Sequence, residues 1–430
     1  MTLSKRLQKL FHRVRQEGLA SLPGWAWRWL YWNIGLYRLR SDFTDWPPAL
    51  YDRVRRRTDL PVCDDISAWC AQHPGALYQV VSGRRAVRRV APRTLEPSVD
   101  PSFASLLELE APERALVAIP GARVIGPNGL ALLPDGQFVG ELVALTPAGR
   151  RNMLAEEATI TQLAPPPDRR LAGDYCLLSA LGWPNYYHWN HDVIMRMATV
   201  MPHLSPGMRF LVPTPLKPFH FESLSMLGID RDRLTDFDGQ APIEVERLWF
   251  STPLHKTQIT SPEYAGWFRQ VAVARWGGVP AAPHRRIYLV RPPSLDTHYR
   301  VTNDEEVQSY LTRRGFELCA PYSLSLPEQA RLFAEAQIII GTGTGLTNMV
   351  YAPPGAQIVQ FQEPSKIVHA LWTLSEALGH AYWYLLGDTV ANPDPRQSLP
   401  DIYVPLAKLS TTLDHVLTAA AVQPASGLVR

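Results

Sequence analysis

The sequence predicts an α/β protein made of two Rossmann-like domains that face a central cleft, preceded by a basic helical N-terminal extension. Three observations lead to this prediction. The chain has 430 residues, more than one hydrophobic core normally serves. Strands and helices alternate in two separate series, as in parallel sheets covered by helices. A buried strand near residue 340 runs into a Gly-rich turn and a helix, which is typical of nucleotide-binding folds.

Residues 1–75 form the predicted extension. Over residues 3–15, apolar side chains recur at helical spacing with lysines and arginines between them, and four tryptophans follow between residues 25 and 32. A basic amphipathic helix beside a tryptophan cluster suits an anionic membrane surface. The same residues also suit a helix docked on its own domain with the tryptophans in the core, and the sequence does not separate the two alternatives.

Residues 76–265 form the predicted first domain. Short β-rich runs such as "ALYQVV" and "QFVGELVAL", cut by turns at "GPNG" and "PDG", lead into the apolar strand of "GDYCLLSALGW". A helix over 185–197 follows. Then come a strand at "MRFLVP", a helix at "FHFESLSMLGI" and a strand at "VERLWFS".

Residues 266–430 form the predicted second domain. Strands are predicted at "RRIYLVR", "FELCAP", "QIIIG" and "QIVQF", and helices at "NDEEVQSYLTRRG", "SLPEQARLFAEA" and "GLTNMVYAP". The remaining chain from "SKIVHALWTLSEALG" gives two further helices, the last near 405–421.

Composition and charge limit the classes of function that the chain can have. The net charge of +3 is too small for nucleic-acid binding, and no recognition motif for nucleic acid occurs. No apolar run reaches the roughly 18 residues of a membrane span. The four cysteines are scattered and no signal peptide precedes them, so we expect buried free thiols in the cytoplasm.

The Gly-rich run "QIIIGTGTGLTN" is the first candidate site. Main-chain N–H groups at a helix N-terminus after such a turn bind phosphate. The spacing is not that of a P-loop or a dinucleotide fingerprint, so a plain strand-to-helix turn is the alternative. The candidate residues are Thr342, Gly343, Thr344, Gly345, Thr347 and Asn348.

Three more polar residues lie where strands of the second domain end. Arg291 follows "RRIYLV", and Arg300 and Asn303 lie in the next loop. A fixed guanidinium at such a point suits a diphosphate. Asn303 is equally well placed to cap the next helix. Glu363 follows "QIVQFQ" and predicts either a ribose contact or a solvent-exposed strand end.

The stretch "NYYHWNHDVIMRM" places His188, Asp192 and Arg196 four residues apart, on one face of a helix. A carboxylate beside an imidazole predicts a general base for a hydroxyl. An ordinary surface ion pair is the alternative, which the crowded aromatics disfavour. The D-x-D patterns at 230–232 and 236–238 predict a metal site only weakly, because no apolar strand leads into them.

Together these segments resemble glycosyltransferase family 61. The aromatic–His–Trp segment with its later acid and Arg is matched by "NYYHWNHDVIMRM". The downstream motifs are matched in order by "YLVR", "RVTN", "GFE", "PEQARLF" and "GTGTGLTNMVYAPPGAQIVQF". The resemblance covers roughly residues 115–385. It departs at Thr342, which stands where the family usually has His and cannot carry a positive charge.

The resemblance implies a GT-B fold and inverting, metal-independent transfer from a nucleotide-sugar donor, with no cofactor. The second domain would hold the diphosphate, and Asp192 would act as base with His188 orienting it, or the reverse. Arg196 would fix the carboxylate or contact an anionic acceptor. Bacterial relatives imply a role in capsule, exopolysaccharide or lipopolysaccharide assembly, with a glycan or lipid-linked acceptor. A cytoplasmic enzyme whose basic, Trp-rich N-terminus, residues 1–40, rests on the inner membrane would suit that role.

Two other functions remain open at this point. Thr342 favours a non-catalytic nucleotide-sugar- or glycan-binding protein of a polysaccharide assembly. The Gly-rich turn and Glu363 alone would suit a nicotinamide-dependent oxidoreductase, although that turn comes late in the chain.

Overall fold

Two β-sheets, one mixed and one fully parallel, organise the chain. The computed structural model describes residues 62–143, 167, 169–239, 241–253, 260–277, 282–291, 300–392 and 400–422. Within these ranges the α/β class is confirmed. The basic, Trp-rich segment 1–40 lies outside the described residues.

The first sheet has ten strands: β1 Val62–Cys63, β2 Leu77–Ser82, β5 Arg114–Pro120, β6 Arg123–Ile125, β7 Leu130–Leu132, β8 Phe138–Val139, β9 Arg169–Leu177, β10 Arg209–Pro213, β11 Leu234–Phe237 and β12 Ile243–Ser251. Their order is β1-β8-β7-β6-β12-β9-β10-β11, with β5 pairing both β12 and β2. A separate hairpin joins β3 Arg85–Arg88 to β4 Glu108–Ala111.

Four strands of this sheet form a parallel unit. β10 pairs in parallel with β9 and β11, and β12 pairs in parallel with β9. The spatial order β11-β10-β9-β12 is that of half a Rossmann fold, in which the strand order reverses between the first and fourth strands. The carboxyl ends of β9 and β12 therefore border the crevice where such sheets bind ligands.

The second sheet is parallel throughout, in the order β14-β13-β15-β16-β17. Its strands are β13 Arg285–Leu289, β14 Glu317–Cys319, β15 Ala336–Gly341, β16 Gln357–Gln362 and β17 Ala381–Leu386, followed by the hairpin of β18 Asp388–Val390 and β19 Asp401–Tyr403. This is the doubly wound 2-1-3-4-5 order, whose switch point lies between β13 and β15.

Helices cover both sheets. They are α1 Ile66–Gln72, α2 Gly140–Val143, α3 Tyr186–His188, α4 Met197–Val200, α5 Pro218–Met226, α6 Pro262–Trp276, α7 Asp304–Arg313, α8 Leu326–Ala334, α9 Ala370–Ala377 and α10 Leu406–Val422. The predicted domain boundary after residue 265 falls within α6. In the described part of the chain, none of the helices has both the length and the apolar composition that crossing a bilayer requires.

One apolar core lies between the sheets. Helices α5, α6, α8 and α9 pack on one another there, and the cluster includes buried side chains from both sheets and from these helices. Its large members include Trp189, Phe268, Tyr351 and Trp372. Burial of each side chain of this size stabilises the fold by roughly 1.5–3 kcal/mol. This shared core therefore holds the two halves of the molecule together.

A segment of the first half also crosses to the second sheet. Residues 89–103 run beside β17, where Arg93 forms a parallel bridge with Trp383. Farther along, the ring of Phe103 packs edge-on against Trp372 at 5.0 Å between centroids. The chain before β5 therefore contributes to both halves.

The helix predicted over 185–197 is not a regular α-helix. α3 passes into a π-helical turn, Trp189–Ile194, before α4 begins. The N–H of Met195 bonds to the carbonyl of Asn190, five residues back, at 3.0 Å. A π turn widens the backbone and redirects side chains, and such turns occur often at functional sites.

Candidate active site

The first half of the site grows from the loop after β9. Asn185 caps α3 by accepting from the N–H of Tyr187, which fixes where the helix begins. Gly182 has a φ of +80°, and a Cβ there would lie 2.9 Å from Cδ2 of His188. A glycine is therefore required at this position, because the loop backbone lies directly against the His188 ring.

His188 and Asp192 form a hydrogen-bonded pair at this edge. Nδ1 of His188 lies 2.7 Å from Oδ2 of Asp192, with side chains 44% and 18% exposed. The other carboxylate oxygen, Oδ1, lies 2.9 Å from Nδ1 of His191, which is buried. Among the described residues nothing hydrogen-bonds to Nε2 of His188, so this nitrogen is accessible to a ligand.

Arg196 donates to main-chain oxygens next to this pair. Its guanidinium donates to the main-chain oxygen of Asp192 at 3.3 Å and to that of Ser251, at the end of β12. Burial lowers the pKa of Arg196 to about 10, and the carboxylate of Asp192 opposes that shift. The side chain stays charged at neutral pH and ties the π turn to the neighbouring parallel strand.

The second half of the site lies at the β13/β15 switch point. Arg291 follows β13, and its Nη1 lies 3.8 Å from the position a Cβ would take on Gly343. Gly343 has a φ of +64°, which an L side chain rarely adopts. At Gly341 a Cβ would approach Leu289 to 2.9 Å. Glycine is therefore needed at both positions, because the end of β15 packs against β13 and the following turn lies close to the guanidinium of Arg291.

The short helix predicted after this turn is a 3₁₀ helix, Gly343–Tyr351. Residues 342–345 are half-buried, so the turn is open to solvent, and the Thr342 side chain does not cap the helix. A guanidinium beside a glycine turn with main-chain N–H groups is an anion-binding arrangement. Gly343 lies beside Arg291, and Thr342, Thr344 and Gly345 belong to the same turn.

Thr347 and Asn348 are fully buried, one turn deeper. Oδ1 of Asn348 accepts from the hydroxyl of Tyr186 at 2.7 Å. Burial raises the pKa of Tyr186 well above its ordinary value, so the hydroxyl keeps its proton. This bond joins the turn after β15 to the helix after β9, across the two halves of the molecule.

A second contact joins the same two edges. Nε2 of His191 lies 2.8 Å from the hydroxyl of Thr260, in the connection between β12 and α6. That hydroxyl lies 3.5 Å from the hydroxyl of Thr373 on α9, which follows β16. The carboxyl edges of the two parallel units therefore meet at Tyr186–Asn348 and at Thr260–Thr373.

Arg300 and Asn303 lie beside β19. The N–H of Arg300 donates to Asp401 at 2.7 Å. Asn303 occupies the position before α7, but its side chain does not cap that helix. Its amide instead pairs with the N–H and carbonyl of Val404, both at 2.9 Å. The predicted capping bond is wrong, because the side chain is used to hold β19 and its following residues.

Glu363 is fully buried at the carboxyl end of β16, so the alternative of a solvent-exposed strand end is wrong. Its carboxylate accepts from the N–H and the hydroxyl of Ser365 and from the hydroxyl of Thr389, at 3.0 Å for the last. The residue thus fixes the loop after β16 to β18.

Glu363→Gln is expected to lower the free energy of unfolding by roughly 1–3 kcal/mol, because one hydrogen-bond-accepting oxygen of this buried carboxylate becomes an NH₂ group. Thermal unfolding monitored by circular dichroism checks this, with Glu108→Gln on the exposed β3–β4 hairpin as control. An unchanged midpoint for Glu363→Gln would contradict the structural role.

The second D-x-D pattern, at residues 236–238, lies at a separate pocket. Asp236 and Asp238 line a pocket of about 370 Å³ together with Arg169 and Thr214. Within the described ranges, no group of three or more His, Cys, Asp or Glu side chains is arranged to hold a metal ion. Two acids facing an arginine suit polar ligands better than a cation.

Sequence reasoning missed three residues of the site: Gly182, His191 and Thr260. His191 stands beside Asp192 in the sequence, and the pair "HD" is the one local signal that could have singled it out. Thr260 is 69 residues away from His191 and carries no motif.

Comparison with known proteins bears on the same stretch of chain. The Glycosyltransferase 61 family model matches residues 186–359. This range contains His188, Asp192 and Arg196 as well as the predicted donor-binding residues from Arg291 to Asn348, whereas Glu363 lies beyond it. The match supports the resemblance to this family and indicates a glycosyltransferase domain. No curated protein matches the chain.

Proposed function

We propose that the protein is an inverting glycosyltransferase that moves a sugar from a nucleotide-sugar donor to a hydroxyl of a glycan or lipid-linked glycan in cell-surface polysaccharide biosynthesis. One observation carries the proposal. The His188–Asp192 pair stands at one switch point and Arg291–Gly343 at the other, and contacts at Tyr186–Asn348 and Thr260–Thr373 join the two edges.

This arrangement supports a GT-B-like architecture, with residues 76–265 and 266–430 as acceptor and donor units. Two parallel units with joined carboxyl edges would place a donor in one crevice and an acceptor in the other. The apolar core behind the edges sets their distance, as a two-substrate reaction requires.

The donor diphosphate would lie on the turn after β15. The N–H groups of Gly343, Thr344 and Gly345 and the guanidinium of Arg291 would bind its oxygens, with Arg300 contributing charge. As the bond to the sugar breaks, negative charge grows on the leaving phosphate, and these groups stabilise it. In this proposal they perform the role that a metal ion has in other transferases. Thr342 would donate a hydroxyl hydrogen bond in place of the family's His.

In this proposal His188 is the better base, which reverses the preference for Asp192 stated with the family resemblance. Both oxygens of Asp192 already accept from imidazole nitrogens, whereas Nε2 of His188 is accessible. With Nδ1–H donated to Asp192, the lone pair of Nε2 faces outward, which is the tautomer a base needs. Asp192 would orient the ring and stabilise the imidazolium that forms.

The reaction follows from these positions. The acceptor oxygen attacks the anomeric carbon as its proton passes to Nε2 of His188. The bond from that carbon to the diphosphate breaks with its electron pair going to the phosphate oxygen. Attack opposite the leaving group inverts the anomeric configuration.

A melting screen against a panel of nucleotide sugars tests the proposal, because ligands that bind only the native state raise its stability. At least one nucleotide sugar should shift the midpoint, and the same compound should be turned over. If every nucleotide sugar failed to shift it while NADH did, the oxidoreductase alternative would replace the proposal.

Thr342, which stands where the family usually has His, favours a second candidate function, that of a non-catalytic nucleotide-sugar- or glycan-binding protein. Binding of a nucleotide sugar with neither hydrolysis nor transfer, in the presence of a range of acceptors, would favour that candidate. Release of the nucleoside diphosphate at a rate that depends on His188 would favour the enzyme.

The N-terminal segment is proposed to place the enzyme on the cytoplasmic face of the inner membrane. Deletion of residues 1–40 is expected to abolish sedimentation with vesicles containing anionic phosphatidylglycerol, since the segment's basic residues supply the electrostatic attraction. The full chain should sediment with these vesicles and not with neutral phosphatidylcholine vesicles. A truncated chain that still pelleted with anionic vesicles would contradict this placement.

A further inference from the structure

A pocket of about 310 Å³ lies between the two halves of the molecule. The first half contributes α5 and the segment before β11, and the second half contributes the end of α6 and the start of α8. Among the described residues that line it, none belongs to the proposed catalytic or donor-binding set. Small-molecule sites form preferentially where two domains meet, and their volumes run from roughly 300 to 1,000 Å³. The pocket therefore suits a ligand about the size of one sugar ring.

Contacts between the two halves fix the walls of this pocket. Glu222 on α5 accepts from the N–H of Leu326, the first residue of α8, at 2.8 Å. The ring of Trp276, the last residue of α6, packs edge-on against Tyr351 with 6.5 Å between centroids. Tyr351 ends the 3₁₀ helix that begins at Gly343. The walls are thus set by the same interface that joins the two carboxyl edges.

Four polar groups of the lining have hydrogen-bonding capacity that the described chain does not use. They are the hydroxyl of Ser225, the carboxylate of Asp230, the guanidinium of Arg231 and the indole N–H of Trp276. Within the described residues, none of the four hydrogen-bonds to a side chain or to the main chain. The guanidinium lies over the ring of Phe221, 4.0 Å from its centroid, which orients its N–H groups around the edge of the stack. Donors and acceptors without internal partners therefore converge on one space.

The charges of the lining limit the class of ligand. Glu222 and Asp230 are acidic and Arg231 is basic, so a ligand with a fixed charge of either sign would meet a like charge. A neutral polyol can donate hydroxyl protons to the carboxylates and accept from the guanidinium. The indole of Trp276 offers an apolar surface to the C–H groups of a sugar ring. The combination matches a neutral pyranose.

We propose that this pocket is a second carbohydrate site, which binds a neutral sugar unit through Asp230, Arg231 and Trp276. The site follows from its lining, whereas the source of the sugar rests on the proposed function. In that function the sugar belongs to the glycan that the enzyme extends, and it is a unit other than the one that reacts.

Fluorine NMR of the full chain labelled with 5-fluorotryptophan tests the site without any turnover. The signal of Trp276 is the one that disappears in Trp276→Phe. The probes are the methyl glycosides of glucose, galactose, mannose and N-acetylglucosamine. At least one of them should move the Trp276 signal in a saturable way, with a Kd in the millimolar range expected for so small a ligand. If none of the four moved this signal at concentrations up to about 100 mM, the proposal would be overturned.

Asp230→Asn and Arg231→Gln are each expected to weaken binding of that glycoside by about 3- to 10-fold, because each alters one group that bonds to its hydroxyls. Asp232→Asn is the matched control. Asp232 is an exposed acid in the same 3₁₀ turn, Arg231–Arg233, and is not among the described residues that line the pocket. Its variant should bind as wild type does. Unchanged affinity in both pocket variants, or equal weakening in Asp232→Asn, would place the sugar elsewhere and overturn the proposal.

The outcome for this site is separate from the outcome for the proposed reaction. A glycoside that binds beside Trp276, while no nucleotide sugar is turned over, would support the carbohydrate site and contradict the transferase. Turnover of a nucleotide sugar by a chain whose Trp276 signal responds to no glycoside would support the transferase and overturn the site.

Discussion

His188→Ala is expected to lower kcat for sugar transfer by about 10²–10⁴-fold, the usual contribution of a general base. The exposed Nε2 of His188 is the proposed proton acceptor, and the Asp192 side chain behind it is only 18% exposed. Nucleotide binding should be unchanged, because the residue belongs to the other half of the site. Steady-state release of nucleoside diphosphate and isothermal titration measure the two quantities.

Asp192→Asn separates the two roles that the sequence left interchangeable. An asparagine that places its NH₂ against Nδ1 of His188 would favour the tautomer whose Nε2 carries the proton. Turnover should again fall by orders of magnitude. His415→Ala, on the exposed face of α10, is the matched control for His188→Ala and should behave as wild type. A large residual activity in His188→Ala together with a dead Asp192→Asn would make Asp192 the base.

Arg291→Gln is expected to weaken binding of the nucleotide sugar by about 10- to 100-fold, since a charge-assisted hydrogen bond contributes roughly 1.5–3 kcal/mol. The guanidinium lies over Gly343 at the switch point of the donor sheet, where the diphosphate is proposed to bind. Because charge grows on the leaving group, kcat should fall as well. Titration of the nucleoside diphosphate measures the first effect without any turnover.

Arg286→Gln provides the matched control for Arg291→Gln. Arg286 is half-buried on the same strand, β13, but toward its amino end and away from the switch point. The control should bind the nucleotide as wild type does. Equal weakening in both variants would mean that the loss reflects damage to β13, and the diphosphate site would have to be placed elsewhere.

The second sheet could be predicted from the sequence because its strands are short apolar runs separated by clear helix starts. The Ser325 capping box and the acidic first turn of α7 are local signals, and both helices form where predicted. The helix α6 could not be predicted in this way. Its apolar residues do not follow one stripe, because it packs against several helices at once.

The candidate site could be predicted only for its members with local patterns, and not for its long-range members. His188, Asp192 and the Gly343 turn carry local patterns, and the structure brings each to a switch point. Thr260 contacts His191 only because β12 lies beside β9, which no local pattern records. The π turn likewise depends on packing, since nothing in "WNHDVI" forbids a regular α-helix.

A structure of His188→Ala with an intact nucleotide sugar tests the central claim most directly. Diphosphate oxygens are expected within hydrogen-bond distance of the Gly343–Gly345 N–H groups and of Arg291. The anomeric carbon should face the space left by the imidazole. A donor bound away from this turn, or one whose anomeric carbon points away from residue 188, would contradict it.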